Sequence, residues 1–124
     1  MSETFRIIFR VKEYPSSLRF YSDLLECPIV MQWDRGPAEK GTIFKFGSGE
    51  IEVLGLPPGM DYVQPQGFEI AAEFEDVEKA YQFVLSKGIQ LRGDIANKPW
   101  GHRTFSVNDP DGVKLIFYSE IRTE

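Results

Sequence analysis

The chain has one cysteine, Cys27, and one histidine, His102, among its 124 residues, and no apolar run approaches the ~20 residues needed to cross a bilayer. A lone cysteine excludes an internal disulfide, and within "LLECPIV" Cys27 reads as a small packed hydrophobe rather than a nucleophile. Basic charge is also short: 14 Lys and Arg stand against 19 Asp and Glu, a net charge of −5. That balance argues against a nucleic-acid backbone or an anionic membrane as partner and leaves room for a neutral or cationic small molecule. The first residues lack the basic-then-apolar order of a signal peptide, so a cytoplasmic protein is expected. What is present is a 42% apolar fraction in a chain long enough for one domain with its own core.

The chain repeats itself. "FRIIFRVKEYPSSLRFYSDLL" from Phe5 lies over "FEIAAEFEDVEKAYQFVLSKG" from Phe68 at a constant offset of 63 residues. Each copy opens with period-2 alternation, Phe5, Ile7, Phe9 and Val11 in one and Phe68, Ile70, Ala72 and Phe74 in the other, which reads as a strand packed on one face. A helix start follows in each, with Pro15 in a first turn and Asp76 as an N-cap. Apolar stripes come next: Leu18, Tyr21 and Leu25, then Val77, Ala80, Tyr81 and Val84, with Gly88 closing the second helix. Three further strands complete each copy, near 29–33, 42–46 and 50–54, and near 90–92, 103–107 and 113–119. The predicted architecture is α+β: one domain, 1–124, of two βαβββ modules at about 5–55 and 68–120. The Pro/Gly-rich segment 56–67, "LPPGMDYVQPQG", joins them.

If one strand face packs on the helices, the other looks into the concavity of a curved sheet. Parity places Arg6, Ile8 and Arg10 there, with Glu69, Ala71 and Glu73 as counterparts, Glu50 and Glu52 from the end of the first module, and Lys114, Ile116 and Tyr118 from the end of the second. Such a row is either a solvated sheet face or the lining of a cleft. "KPWGHRTFSVNDPDG", 98–112, adds a Pro-Trp-Gly loop, His102 and an Asp-Pro-Asp-Gly turn. The turn is expected only to reverse the chain. Trp100, between Pro99 and Gly101, is expected to be partly open and to shape one end of the cleft, whereas His102 is assigned to the loop and Arg103 to bracing it or touching a ligand.

"RVKEYPSSLRFYSDLL" together with "KPWGHRTFSVNDPDG" resembles the vicinal-oxygen-chelate superfamily of glyoxalase I, extradiol dioxygenases and bleomycin-resistance proteins, and most closely the bleomycin-resistance-like members. The resemblance covers nearly the whole chain. It implies curved mixed sheets around a cleft and a homodimer with pockets near the two-fold axis. Metal-dependent relatives hold their ion with four side chains. Carried over by resemblance, those positions fall on Arg6, Glu52, Glu69 and Ile116, the match of Glu52 with Ile116 requiring a one-residue slip between modules. Arginine offers no lone pair and isoleucine no donor, so neither the usual metal nor any other cofactor is expected. Arg6, Glu52 and Glu69 are instead expected to share a cleft, as a structural ion cluster or as a polar anchor for a ligand. Trp33, Trp100, Phe44 and Tyr118 are candidate pocket walls, and His102 a candidate ligand contact.

Three functions fit: a binder of a cationic or aromatic small molecule such as an antibiotic, an enzyme of the same fold, and an accessory dimer with a vestigial pocket. The enzyme would work without metal, or with Mg²⁺ or Mn²⁺ held by Glu50, Glu52, Glu69 or Glu73.

Overall fold

The computed structural model describes residues 3–122, which form eight strands in two four-stranded sheets. In the first module β1 (Arg6–Arg10) is followed by α1 (Tyr14–Leu18), then by β2 (Ile29–Asp34), β3 (Lys40–Phe46) and β4 (Gly49–Leu54). In the second, β5 (Ile70–Glu73) leads to α2 (Val77–Ser86), β6 (Leu91–Asn97), β7 (His102–Asn108) and β8 (Lys114–Glu120). The sheet orders are β1-β4-β3-β2 and β5-β8-β7-β6, so the two modules have the same topology. Each first strand runs parallel to its module's last strand, and the remaining pairs are antiparallel.

The start signals work as the sequence suggests. Pro15 occupies the first turn of α1, where a missing N–H costs nothing, and the Asp76 carboxylate caps α2 by accepting from Lys79 N at 3.1 Å. Gly88 sits at φ +71°, beyond the end of α2. The expected single first helix is instead a short α-helix continued by a π-helical stretch, Arg19–Leu24, that still buries Phe20 and Tyr21. Phe5 and Phe68 fall outside their strands, and Phe5 is 79% exposed, so the helix-packed row of β1 is Ile7 and Phe9 only. The strand expected at 90–92 runs on to Asn97, with register shifts at Gly93 that no period-2 pattern announces.

Both modules contribute to one apolar cluster on the helix side. The Phe46 ring stands edge-on to Phe74 and Phe117, at 5.2 and 5.0 Å, and Tyr21 stacks on Phe44 at 5.3 Å. The Asp-Pro-Asp-Gly turn is not merely a reversal. Asp109 accepts from the Tyr21 hydroxyl at 2.8 Å, and Asp111 from Lys12 N at 3.0 Å and from the Tyr62 hydroxyl. The turn of the second module thereby grips the first helix, the end of β1 and the linker, and both carboxylates are buried. Burial holds the Asp109 carboxyl above its ordinary range despite the hydrogen bonds it accepts from Tyr21, Val113 and Asp111.

Candidate functional site

With both helices on the core side, each sheet keeps one open face. The pairing registers identify its residues. Ile8 pairs with Glu52 and Ala71 with Ile116, whereas the offset of 63 takes Ile8 to Ala71, so Glu52 and Ile116 are equivalent across an offset of 64. The slip arises at the turns. Phe46 pairs with Gly49 across two residues, while Asp109 N meets Val113 O across the three residues Pro110, Asp111 and Gly112. The second module has one residue more at that point.

On the open face of the first sheet, Arg6 reaches both carboxylates beside it: Nε meets Glu50 at 3.0 Å and Nη1 meets Glu52 at 3.2 Å. Glu52 is the deeper partner, its side chain 11% exposed. Trp33 pairs with Gly41 on this face, its ring filling the space where a Gly41 Cβ would lie 2.5 Å away. Phe44, an expected pocket wall, is a correction. It pairs with Ile51, points to the core and is completely buried, because its neighbours Ile43 and Lys45 take the open face.

The open face of the second sheet carries a cavity of about 520 Å³, lined by Glu69, Trp100, His102, Ile116 and Tyr118 among the expected residues. Its floor is made of small residues, two of them, Thr104 and Ser106, bearing hydroxyls beside Ala71 and Gly93. Gly93 makes that floor possible, since a Cβ there would lie 2.8 Å from Ser106 Oγ. One wall is a stacked pair, the His102 ring lying over Tyr118 at 4.2 Å and 15°. His102 thus opens β7 rather than lying in the loop. Trp100, 67% exposed, stands in the loop between β6 and β7. Arg103 turns away from the cavity to bind Glu78 and, at 2.9 Å, Asn97 Oδ1, which makes it a brace for the loop. The charges are mixed: Glu69 and Asp94 against Lys98 and Lys114, with Lys114 Nζ 3.7 Å from Glu69. The Tyr81 hydroxyl and Ile95 N hold the Asp94 carboxyl below its ordinary range, so it is an anion throughout the neutral region.

Asp94, Lys98, Thr104 and Ser106 escaped the sequence reading. Continuing the alternation from His102 through β7 reaches Thr104 and Ser106, but assigning His102 to a loop hid it. Asp94 and Lys98 depend on the bulges of β6. Within one chain the cavity does not include Arg6 or Glu52, and Glu69 pairs with Lys114 rather than with Arg6.

The four positions that carry a metal by resemblance do not suit one here. The Arg6 guanidinium occupies Glu52 and Glu50, Ile116 supplies no donor, and among the described residues no three His, Cys, Asp or Glu side chains are grouped to hold an ion.

Residues 5–117 match the profile of the Glyoxalase/Bleomycin resistance protein/Dioxygenase superfamily, and the chain belongs to that superfamily. No curated protein matches it. Among solved structures it is similar to TioX from Micromonospora sp. ML1, at 15% identity and TM-score 0.75, covering 97% of this chain and 100% of that one. It is also similar to superfamily members from Sphaerobacter thermophilus and Alicyclobacillus acidocaldarius. Both are 20% identical and cover 97% of this chain; the first has TM-score 0.73 over 98% of its own chain, the second 0.72 over 92%. At these identities the likeness is one of fold, and the scaffold hosts many chemistries.

Proposed function

We propose that this chain is a small-molecule-binding protein that works without the metal site of its superfamily, taking a planar, neutral or cationic ligand on the open face of the second sheet, as in antibiotic sequestration. The observation that carries the reading is the exchange at Arg6: a guanidinium binds the Glu52 carboxylate in the place that resemblance gives to an ion. The cavity supports the ligand class. The His102–Tyr118 stack and Trp100 offer ring faces, and Glu69 offers negative charge to a cation.

A homodimer completes this reading. The repeat inverts its charges: Arg6 beside Glu50 in the first module corresponds to Glu69 beside Lys114 in the second. A second copy turned so that unlike sheets face each other sets Arg6 against the partner's Glu69, and Glu50 against the partner's Lys114. Ile8 and Met31, 54% and 59% exposed on the first open face, would then be covered. A metal-free enzyme is the second reading, supported by His102 facing the cavity. Among the described residues no side-chain hydrogen bond orients its ring, which favours binding.

Fluorescence titration with proflavine, a planar cation, tests the proposal. Saturable binding weakened about tenfold by Trp100→Ala, which removes an exposed ring without touching the core, is the expected result. Binding that the substitution leaves unchanged, or about one equivalent of Zn, Ni or Fe retained per chain after dialysis, contradicts it.

A further inference from the structure

The linker and the β7–β8 turn enclose a second cavity, of about 620 Å³, whose walls include Gln64, Gln66 and Arg92. It adjoins the aromatic cavity, because Glu69 and Lys114 line both. Its chemistry is different. Cations outnumber carboxylates, Arg92 and Lys114 against Glu69, in a chain whose net charge is −5. Arg92 Nη1 binds an uncharged partner, Asn108 Oδ1, at 2.9 Å. Lys114 Nζ stands 3.7 Å from Glu69, beyond hydrogen-bond length, so its ammonium can be recruited without breaking a close pair.

We propose that the ligand of the aromatic cavity carries an oxyanionic arm, carboxylate or phosphate, which passes the Glu69–Lys114 pair and seats against Lys114 and Arg92 in the linker-side cavity. The proposal rests on the reading that the aromatic cavity is the binding site, and it narrows the ligand to an elongated molecule with a planar end and an anionic end. The two ends reinforce each other. An oxyanion that draws Lys114 away releases Glu69, which then faces a cationic ring in the aromatic cavity.

The test compares 9-butylaminoacridine with its carboxypropylamino and phosphonopropylamino analogues, by calorimetry, on the wild-type protein, Arg92→Gln and Lys114→Gln. The anionic analogues should bind the wild type about fivefold more tightly, as expected of half-exposed charge pairs, and the advantage should vanish in both variants and in high salt. Whichever analogue gains more distinguishes a carboxylate from a phosphate. Equal or weaker binding of both anionic analogues, or an advantage that survives both substitutions, overturns the arm. If no acridine binds at all, the aromatic-cavity reading fails instead. The linker-side cavity is then read alone, by inorganic phosphate titrated against the amide NMR signals of Gln64, Gln66 and Gly112. Saturable shifts lost in Lys114→Gln support an oxyanion site there, and their absence rules it out.

Discussion

Arg6 donates to two carboxylates, one of them nearly buried, while its own side chain stays 40% exposed. Removing the guanidinium therefore leaves Glu52 with an unpaired charge that water reaches poorly. Arg6→Ala should lower stability in urea unfolding by roughly 1–2 kcal/mol, more than a fully exposed pair yields, and Arg6→Ala/Glu52→Ala should recover part of the loss. Strictly additive losses would show that the pair is not coupled. Asp109 makes a different statement. Burial raises its carboxyl pKa in the folded state, so the native protein binds the proton more tightly than the unfolded chain does. Its contribution is fully present below the ordinary carboxylate pKa and is lost as pH rises through the raised value. Asp109→Asn, which keeps the shape and can still bond Tyr21, should therefore gain stability relative to wild type as pH rises across that window; a pH-independent difference contradicts this. At this scale alternation made Arg6, Glu52 and Ile116 legible in the sequence, because β1, β4 and β8 are regular. Phe44 was not legible as core, since an aromatic ring on a strand looks the same from either face until the register is known.

Among the elements, the turns carry what the repeat conceals. The two hairpins differ by one residue, and that residue shifts Glu52 against Ile116 while leaving β3 and β7 in step. A constant offset detects the modules and misses the slip, because the extra residue falls in a turn that no packing period marks. The shorter turn is the tighter one. Gly47 lies at φ +54°, and a Cβ there would stand 2.6 Å from Glu73 O and 2.8 Å from the Phe74 ring, where the first sheet's hairpin abuts the end of β5. The joint is closed further by Ser48 Oγ, which accepts from Glu73 N at 3.1 Å. Gly47→Ala should cost about 1–3 kcal/mol through backbone strain and displaced contacts, measured by chemical unfolding. A cost near zero would mean that the joint yields freely. By contrast the bulges of β6 place Asp94 and Lys98 through geometry that single-residue propensities do not encode.

For the molecule as a whole, a single core shared by two modules leaves two open sheet faces of matching topology and opposite charge order. Light scattering at micromolar concentration should give a dimer mass, and high salt should weaken the assembly because part of the match is ionic. A monomer removes the shared-pocket arrangement. Among the described residues no helix is long and apolar enough to cross a membrane. The central claim, that this superfamily member binds an organic ligand on a metal-free open sheet, is tested most directly by thermal unfolding with planar cations in one arm and Zn²⁺, Ni²⁺, Mn²⁺ and Mg²⁺ in the other. A ligand of the native state at about 100 times its Kd adds roughly 2.7 kcal/mol, a rise on the order of 10 °C for a domain of this size. The account predicts such a rise with a planar cation, about halved in Trp100→Ala at the same ligand concentration, and none with the divalent ions. A rise with a divalent ion and none with any planar cation would contradict it.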